Sequence, residues 1–141
     1  MVIVHRDNRS GDINKFVLEK EINKDNVQEL IDNWRHEIAP AFFKSQKPPV
    51  IDMDPVKTVV RATFDDLVVD NDKFVLVSFV APWCDWCRRL VPILTELSKK
   101  VNYLENLVIA KIDATQNEIE GFPIHSFPTI FFFKPGSKDQ P

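Results

Sequence analysis

The sequence lacks the features that mark several classes of protein. It has no block of basic residues and a formal net charge of -3, so we do not expect nucleic acid as a partner. No apolar run approaches the roughly 18 residues that a helix needs to cross a bilayer, so we expect no membrane span. Cysteine is scarce: the 141 residues include only two, which leaves them little use as a disulfide framework.

The two ends of the sequence carry no visible targeting signal. Residues 1–7 begin with a short apolar stretch and lack the charged start, apolar core and cleavage site of a secretory signal. Residues 137–141 do not form an endoplasmic reticulum retention signal. The chain is therefore compatible with the cytosol or with a piece of a longer secretory protein.

The first 55 residues divide into a short folded pattern and a linker. Within 1–37 we predict strands at 2–4 and 15–19, a turn at 8–12, and a helix over 25–37 that Asn23 or Asp25 caps. This is too little sequence to bury a core alone. Residues 38–55 are rich in proline, which resists both helix and sheet, and are predicted to be a linker.

From residue 56 onward, predicted strands alternate with predicted helices. Pro92 should kink the long helix, whose buried face is predicted to carry Leu90, Ile93, Leu94 and Leu97. Such alternation indicates an α/β fold with a mixed or parallel sheet. We predict strands at 56–60, 74–80, 107–113 and 129–133, and helices at 64–69, 84–101 and 116–121.

The two cysteines lie three residues apart, in Cys84-Asp85-Trp86-Cys87. At this spacing both thiols can lie in the first turn of one helix and close a small disulfide ring. One thiol can be exposed and the other sheltered, and the positive end of the helix stabilises a thiolate at the first. We therefore predict thiol–disulfide exchange, with attack by Cys84 and resolution by Cys87.

Two other uses of the cysteine pair stay open. Cys-x-x-Cys is half of many zinc sites, but a second pair is absent, so zinc would need His5, His36 or His125 plus acidic residues. The cysteines could also be buried structural residues. Because a predicted strand and helix flank the motif, we favour redox chemistry, and we expect no metal and no organic cofactor.

The motif and its surroundings resemble the thioredoxin superfamily and, within it, a catalytic domain of protein disulfide isomerase. The resemblance covers 56–141 and implies a thioredoxin-like α/β fold with a central mixed sheet flanked by helices. It is carried by four stretches, at 79–84, 88–92, 108–115 and 125–129.

The resemblance also implies a domain organisation. Residues 1–37 resemble the end of a preceding thioredoxin-like domain, and the stretch 56–141 lacks the last strand and helix of the family's domain. We consider one further arrangement, in which 1–37 complete the second domain by pairing 15–19 with 129–133.

The resemblance further implies roles for individual residues. Cys84 is the attacking thiol and Cys87 the resolving thiol. Pro128 matches the family's cis-proline, and the backbone at Phe127 and Pro128 would pair with a substrate chain. Trp83 would shield the site and offer an apolar contact to unfolded substrates.

Three residues depart from the family's pattern. Asp85 and Trp86 replace the usual Gly-His pair, and a carboxylate near Cys84 should raise the pKa of that thiol and make the disulfide less oxidising. Ser78 stands where the family has a buried acid, and a hydroxyl does not titrate near neutrality. We therefore expect a weakened isomerase in which resolution by Cys87 is slow.

The implied partners are unfolded or misfolded proteins that contain cysteines, with an oxidase or glutathione as redox partner, in the endoplasmic reticulum lumen. A second hypothesis is a redox-weak, chaperone-like module that binds unfolded chains through Trp83, Trp86 and the groove beside Pro128. A third, a cytosolic thioredoxin-type reductant, fits the absent targeting signal but fits the residues before Cys84 and the linker less well.

Overall fold

The computed structural model describes residues 1–6, 13–122, 124–138 and 141, which form two compact units, Met1–Phe43 and Lys44–Pro141. The boundary between the units falls inside the predicted linker. The turn predicted at 8–12 lies outside the described residues. In the described part of the chain, no helix combines the length and the apolar character that crossing a membrane requires.

The first unit consists of a hairpin and one helix. Strands β1 (Val2–Arg6) and β2 (Ile13–Val17) pair antiparallel, and helix α1 covers Lys24–Arg35. Asn23 caps α1, because its side-chain oxygen accepts a hydrogen bond from the backbone N–H of Asn26 at 2.9 Å. No residue of α1 is buried, in agreement with the expectation that this stretch is too short for a core of its own.

The second unit contains a four-stranded mixed sheet. Its strands are β3 (Lys57–Thr58), β4 (Phe74–Val80), β5 (Leu107–Asp113) and β6 (Thr129–Phe133), in the order β3-β5-β4-β6. Strand β5 runs parallel to β3 and β4, whereas β6 runs antiparallel to β4. Strand β2 pairs with β1, and β6 pairs with β4 at the edge of the sheet. The completion of the second domain by residues 1–37 stays a prediction.

Alternating residues of β4 pack into two hydrophobic clusters on opposite faces of the sheet, as expected for a strand covered on both faces. Val75, Val77 and Phe79 belong to a buried cluster with residues that include Phe64 and Phe133. Leu76 points to the opposite face and packs in a second cluster that contains residues of helix α3 (Asp85–Lys100). Strand β4 is thereby held by packing on both faces. This packing also fixes the position of its last residues, which precede the cysteine motif.

The buried face of α3 is narrower than predicted. Leu94 is 4% exposed, but Ile93 is 62% and Leu97 38% exposed. Leu94 packs with Ile109 of β5, so the helix lies over that strand. Ile93 and Leu97 therefore lie outside the buried stripe.

Two further predictions about helices were wrong in part. Helix α2 begins at Arg61, ends at Phe64 and continues as a π-helical turn over Asp65–Val69, whereas we predicted 64–69. The helix predicted at 116–121 is absent from this part of the structure, where turns and irregular chain follow β5. Asn117 supplies a physical reason: its buried side-chain amide donates to the Asp113 carbonyl, the acceptor that the backbone N–H of Asn117 would use in a helix.

Residues 44–46 of the predicted linker form hydrogen bonds within the second unit. Lys44 and Glu118 exchange hydrogen bonds, with the N–H of Glu118 donating to the Lys44 carbonyl at 2.9 Å and the N–H of Lys44 donating to the Glu118 carboxylate at 3.0 Å. The N–H of Gln46 donates to the Asn117 side-chain oxygen at 3.0 Å. Residues 44–46 are thus anchored to the turn region after β5.

Candidate active site

The cysteine motif lies at the connection between strand β4 and helix α3. Strand β4 ends at Val80, and α3 begins at Asp85 with Cys84 as its N-cap residue. The sulfur of Cys84 accepts a hydrogen bond from the backbone N–H of Cys87 at 3.1 Å, and a disulfide joins the two residues. The small ring that the spacing predicts is therefore present at the amino end of a helix, where N–H groups and the helix dipole favour negative charge on Cys84.

Both cysteines are largely buried, whereas the sequence predicts that one thiol is exposed and the other sheltered. Cys84 is 6% exposed and Cys87 2%. They form a small buried cluster with Ala81, against which Val80 and Phe127 pack. Cys84 keeps the larger exposed fraction, so it is the more accessible of the two residues.

Three of the predicted substrate-binding residues come together beside the disulfide. The peptide bond between Phe127 and Pro128 is cis, as the resemblance implies. The ring of Phe127 meets the indole of Trp83 edge-on, with centroids 5.5 Å apart. Trp83 is 69% exposed, so it presents an open apolar surface at the rim of the disulfide.

The two residues between the cysteines each contact an arginine from the next turn of α3. The Asp85 carboxylate forms an ion pair with the Arg88 guanidinium. The Arg89 guanidinium carbon lies 5.2 Å from the centre of the Trp86 ring, a cation–π arrangement. The sequence reasoning treated Asp85 as an unopposed charge and missed this pairing, although the i,i+3 spacing in a helix is a signal for it.

Ser78 lies on the face of β4 that α3 covers. Its neighbour in register on β5 is Lys111, and strand alternation puts both side chains on the same face as Leu76. Ser78 is fully buried, and its hydroxyl has no hydrogen-bond partner among the residues that the structure describes. The position is thus as deeply buried as the resemblance implies, with a hydroxyl in place of an acid.

The zinc alternative has no counterpart in the described ranges. No group of three or more His, Cys, Asp or Glu side chains gathers there in a way that could hold a metal ion. The two cysteines are bonded to each other instead.

Comparisons with known proteins agree with this geometry. The thioredoxin family model matches residues 55–141. Protein disulfide-isomerase A4 of Mus musculus is 42% identical over 130 residues, which cover 90% of this chain and 20% of the relative. Protein disulfide isomerase-like 1-3 of Arabidopsis thaliana is 36% identical over 137 residues, covering 97% and 23%. The chain thus spans only about a fifth of the length of these curated relatives.

A solved structure is similar as well. The solution structure of the first thioredoxin domain of mouse Protein disulfide-isomerase A4 has a TM-score of 0.53 and 29% sequence identity, covering 63% of this chain and 65% of that one. The mixed sheet, the Cys84–Cys87 disulfide at the start of α3 and the cis bond before Pro128 belong to the part of the chain that the family model matches. The chain belongs to the thioredoxin family, and the curated relatives it resembles are protein disulfide isomerases.

Proposed function

We propose that the chain catalyses thiol–disulfide exchange on proteins, with Cys84 as nucleophile and Cys87 as resolving thiol. The observation that carries this proposal is the Cys84–Cys87 disulfide at the amino end of α3. Helix N–H groups favour the thiolate at that position, and the thiolate is the reactive form in exchange.

The exchange proceeds in two balanced steps. In the reductive direction, the Cys84 thiolate attacks one sulfur of a substrate disulfide, forming a mixed disulfide and releasing one substrate thiolate. The Cys87 thiolate then attacks the Cys84 sulfur, which releases the second substrate thiolate and leaves the Cys84–Cys87 disulfide. The substrate gains two electrons and the motif loses two. Oxidation of a substrate dithiol is the reverse sequence.

The substrate chain is proposed to bind at four residues beside the disulfide: Trp83, Trp86, Phe127 and Pro128. Trp83 precedes the motif and Trp86 lies within it, and the two side chains are 69% and 68% exposed. Unfolded chains expose apolar side chains that bury area on such rings. This arrangement favours unfolded or misfolded proteins with cysteines as substrates.

The activity is proposed to be weaker than that of an isomerase with the usual residues at these positions. Ser78 offers a buried hydroxyl that does not titrate near neutrality, so it cannot take the proton of Cys87 as a buried acid would. Trp86 brings no charge of its own to the motif. Release of the mixed disulfide is therefore the step that we expect to limit turnover.

We propose that residues 56–141 form the catalytic domain, that 1–37 are the end of a preceding domain, and that the protein works in the endoplasmic reticulum lumen. Glutathione or an oxidase would restore the redox state of Cys84 and Cys87. Resemblance to protein disulfide isomerases supports this set. Fractionation of cells that express the full natural gene product tests the compartment, and recovery in the cytosol alone would contradict it.

Insulin reduction tests the proposed activity. The wild type should reduce insulin with glutathione as reductant, and Cys84→Ser should lose the activity. Cys84→Ala is a matched second variant, which lacks both the thiol of the wild type and the hydroxyl of the serine variant. Wild-type insulin reduction no faster than the uncatalysed rate would contradict the proposal.

A second candidate function is binding of unfolded polypeptides without redox chemistry. The specific observation in its favour is that Trp83 and Trp86 are exposed whereas both cysteines are largely buried. Suppression of the aggregation of a denatured protein, measured by light scattering, separates the two functions. Suppression that persists in Cys84→Ser and disappears in Trp83→Ala supports the binding module.

A further inference from the structure

Each residue enclosed by the cysteine pair is contacted by the arginine three positions further along α3. Arg88 pairs with Asp85, and Arg89 lies over Trp86. The two arginines are adjacent in sequence and equal in charge, but their partners differ. One neutralises a carboxylate, whereas the other covers an uncharged ring.

Asp85 and a Cys84 thiolate compete for the same positive field. Cys84 is the N-cap of α3 and Asp85 its first residue, so both lie at the end of the helix where N–H groups are unpaired. A carboxylate at this place stabilises the helix, but it repels a thiolate on the preceding residue. The sequence alone therefore predicts a penalty on the reactive form of Cys84.

We propose that Arg88 is a positioning residue of the redox site, which holds the Asp85 carboxylate in an ion pair and so offsets its repulsion of the Cys84 thiolate. The proposal rests on the proposed function of Cys84 as nucleophile. It explains how a carboxylate can lie inside the motif without fully suppressing the Cys84 thiolate. The Asp85 and Arg88 side chains are 72% and 66% exposed, so the effect is modest and sensitive to salt.

A double-mutant cycle with Asp85→Asn and Arg88→Gln tests the pairing. Two quantities are measured at pH 7 and low salt: the equilibrium constant for oxidation of the motif by glutathione, and the alkylation rate of Cys84 in the reduced protein. Arg88→Gln should slow alkylation about twofold to threefold and shift the equilibrium toward the motif disulfide by a similar factor. In the Asp85→Asn background the same change should have a clearly smaller effect.

Arg89→Gln is the matched control, because it removes the same charge one residue further along. Its effect on Cys84 should be the same with Asp85 and with Asn at that position. At about 1 M salt, where screening acts within roughly 3 Å, the difference between wild type and Arg88→Gln should shrink. Thermal unfolding of each variant establishes that it is folded.

Two results would overturn the proposal. One is an effect of Arg88→Gln that is equally large with Asp85 and with Asn, which would make Arg88 a general positive charge. The other is no effect at all. Alkylation and the glutathione equilibrium do not require turnover of a protein substrate, so they report on Arg88 even if insulin reduction fails. Failure of the proposed function and failure of this inference are therefore distinguishable.

Discussion

The indole of Trp83 meets the ring of Phe127 edge-on, with the centroids 5.5 Å apart and the planes at 85°. Phe127 in turn packs against the buried cluster of Cys84 and Cys87. Because Trp83 is 69% exposed, this contact links an open apolar surface directly to the surroundings of the disulfide. The relationship gives the substrate-binding proposal a specific geometry.

Trp83→Ala should separate protein substrates from small ones. We expect kcat/KM for insulin to fall about threefold to tenfold, because an aromatic contact to the substrate is lost. Exchange with oxidised glutathione, which has no such chain to bind, should change much less. Tyr103→Ala is the matched control, since Tyr103 is 74% exposed but follows the far end of α3. An equal loss with both substrates would contradict a role in binding.

Ser78→Glu should speed the release of mixed disulfides. A carboxyl at this buried position can exchange a proton with Cys87, which the hydroxyl cannot do near neutrality. We expect insulin turnover to rise severalfold while the free energy of unfolding falls, since a buried acid is costly. Ser78→Gln has a similar shape without a titrating group and should not gain activity. Unchanged turnover in folded Ser78→Glu would count against the assignment of Ser78.

Asn117 joins three segments of the second unit. Its side-chain oxygen accepts from the N–H groups of Gln46 and Arg61, each at 3.0 Å, and its amide donates to the Asp113 carbonyl at 2.9 Å. Asn117→Ala removes these bonds from a side chain that is only 2% exposed, so we expect a loss of about 2–4 kcal/mol in the free energy of unfolding. Urea titration measures it.

The neighbouring amide provides the comparison for that loss. Gln116 is exposed, so Gln116→Ala should stay within about 0.5 kcal/mol of wild type. Equal effects at the two positions would show that the bonds of Asn117 do not stabilise the fold.

Asn117 also shows why part of the fold escaped prediction. Strands 74–80, 107–113 and 129–133 were predicted with the bounds observed, because nearly continuous apolar runs are a local signal. The stretch 116–121 instead depends on hydrogen bonds to residues that are distant in sequence, such as Gln46. Local periodicity carries no information about such partners.

The same distinction applies to the candidate site. Cys84 and Cys87 could be predicted because their spacing, between a predicted strand and a predicted helix, allows a small disulfide ring. The pairing of Asp85 with Arg88 was not predicted, although the i,i+3 spacing within α3 is a local signal for it. The burial of both cysteines depends on tertiary packing by Phe127, which spacing does not reveal.

Lys138 provides a prediction about pH. It is 9% exposed, and its ammonium group donates to the Lys73 carbonyl at 2.6 Å. Burial lowers the pKa of Lys138 from the usual 10.5, and Asp72 opposes the shift. The unfolded chain therefore binds the proton more tightly than the folded one, so stability should rise as pH increases through the lowered pKa towards 10.5.

Comparison with Lys138→Met isolates this contribution. The difference in unfolding free energy between wild type and variant should be constant near neutral pH and shift in favour of wild type as pH approaches 10.5. Urea titrations of both proteins at a series of pH values measure it. A shift in favour of the variant would mean that the folded protein prefers charged Lys138.

Trapping of the mixed disulfide tests the central claim most directly. Cys87→Ser keeps the proposed nucleophile but cannot resolve, so incubation of the reduced variant with a disulfide-containing protein should accumulate a covalent complex. Peptide mass spectrometry should place the bond at Cys84. The reciprocal variant Cys84→Ser, whose remaining cysteine sits at the less exposed position, should form little complex. Equal trapping through both cysteines, or none through Cys84, would contradict the account.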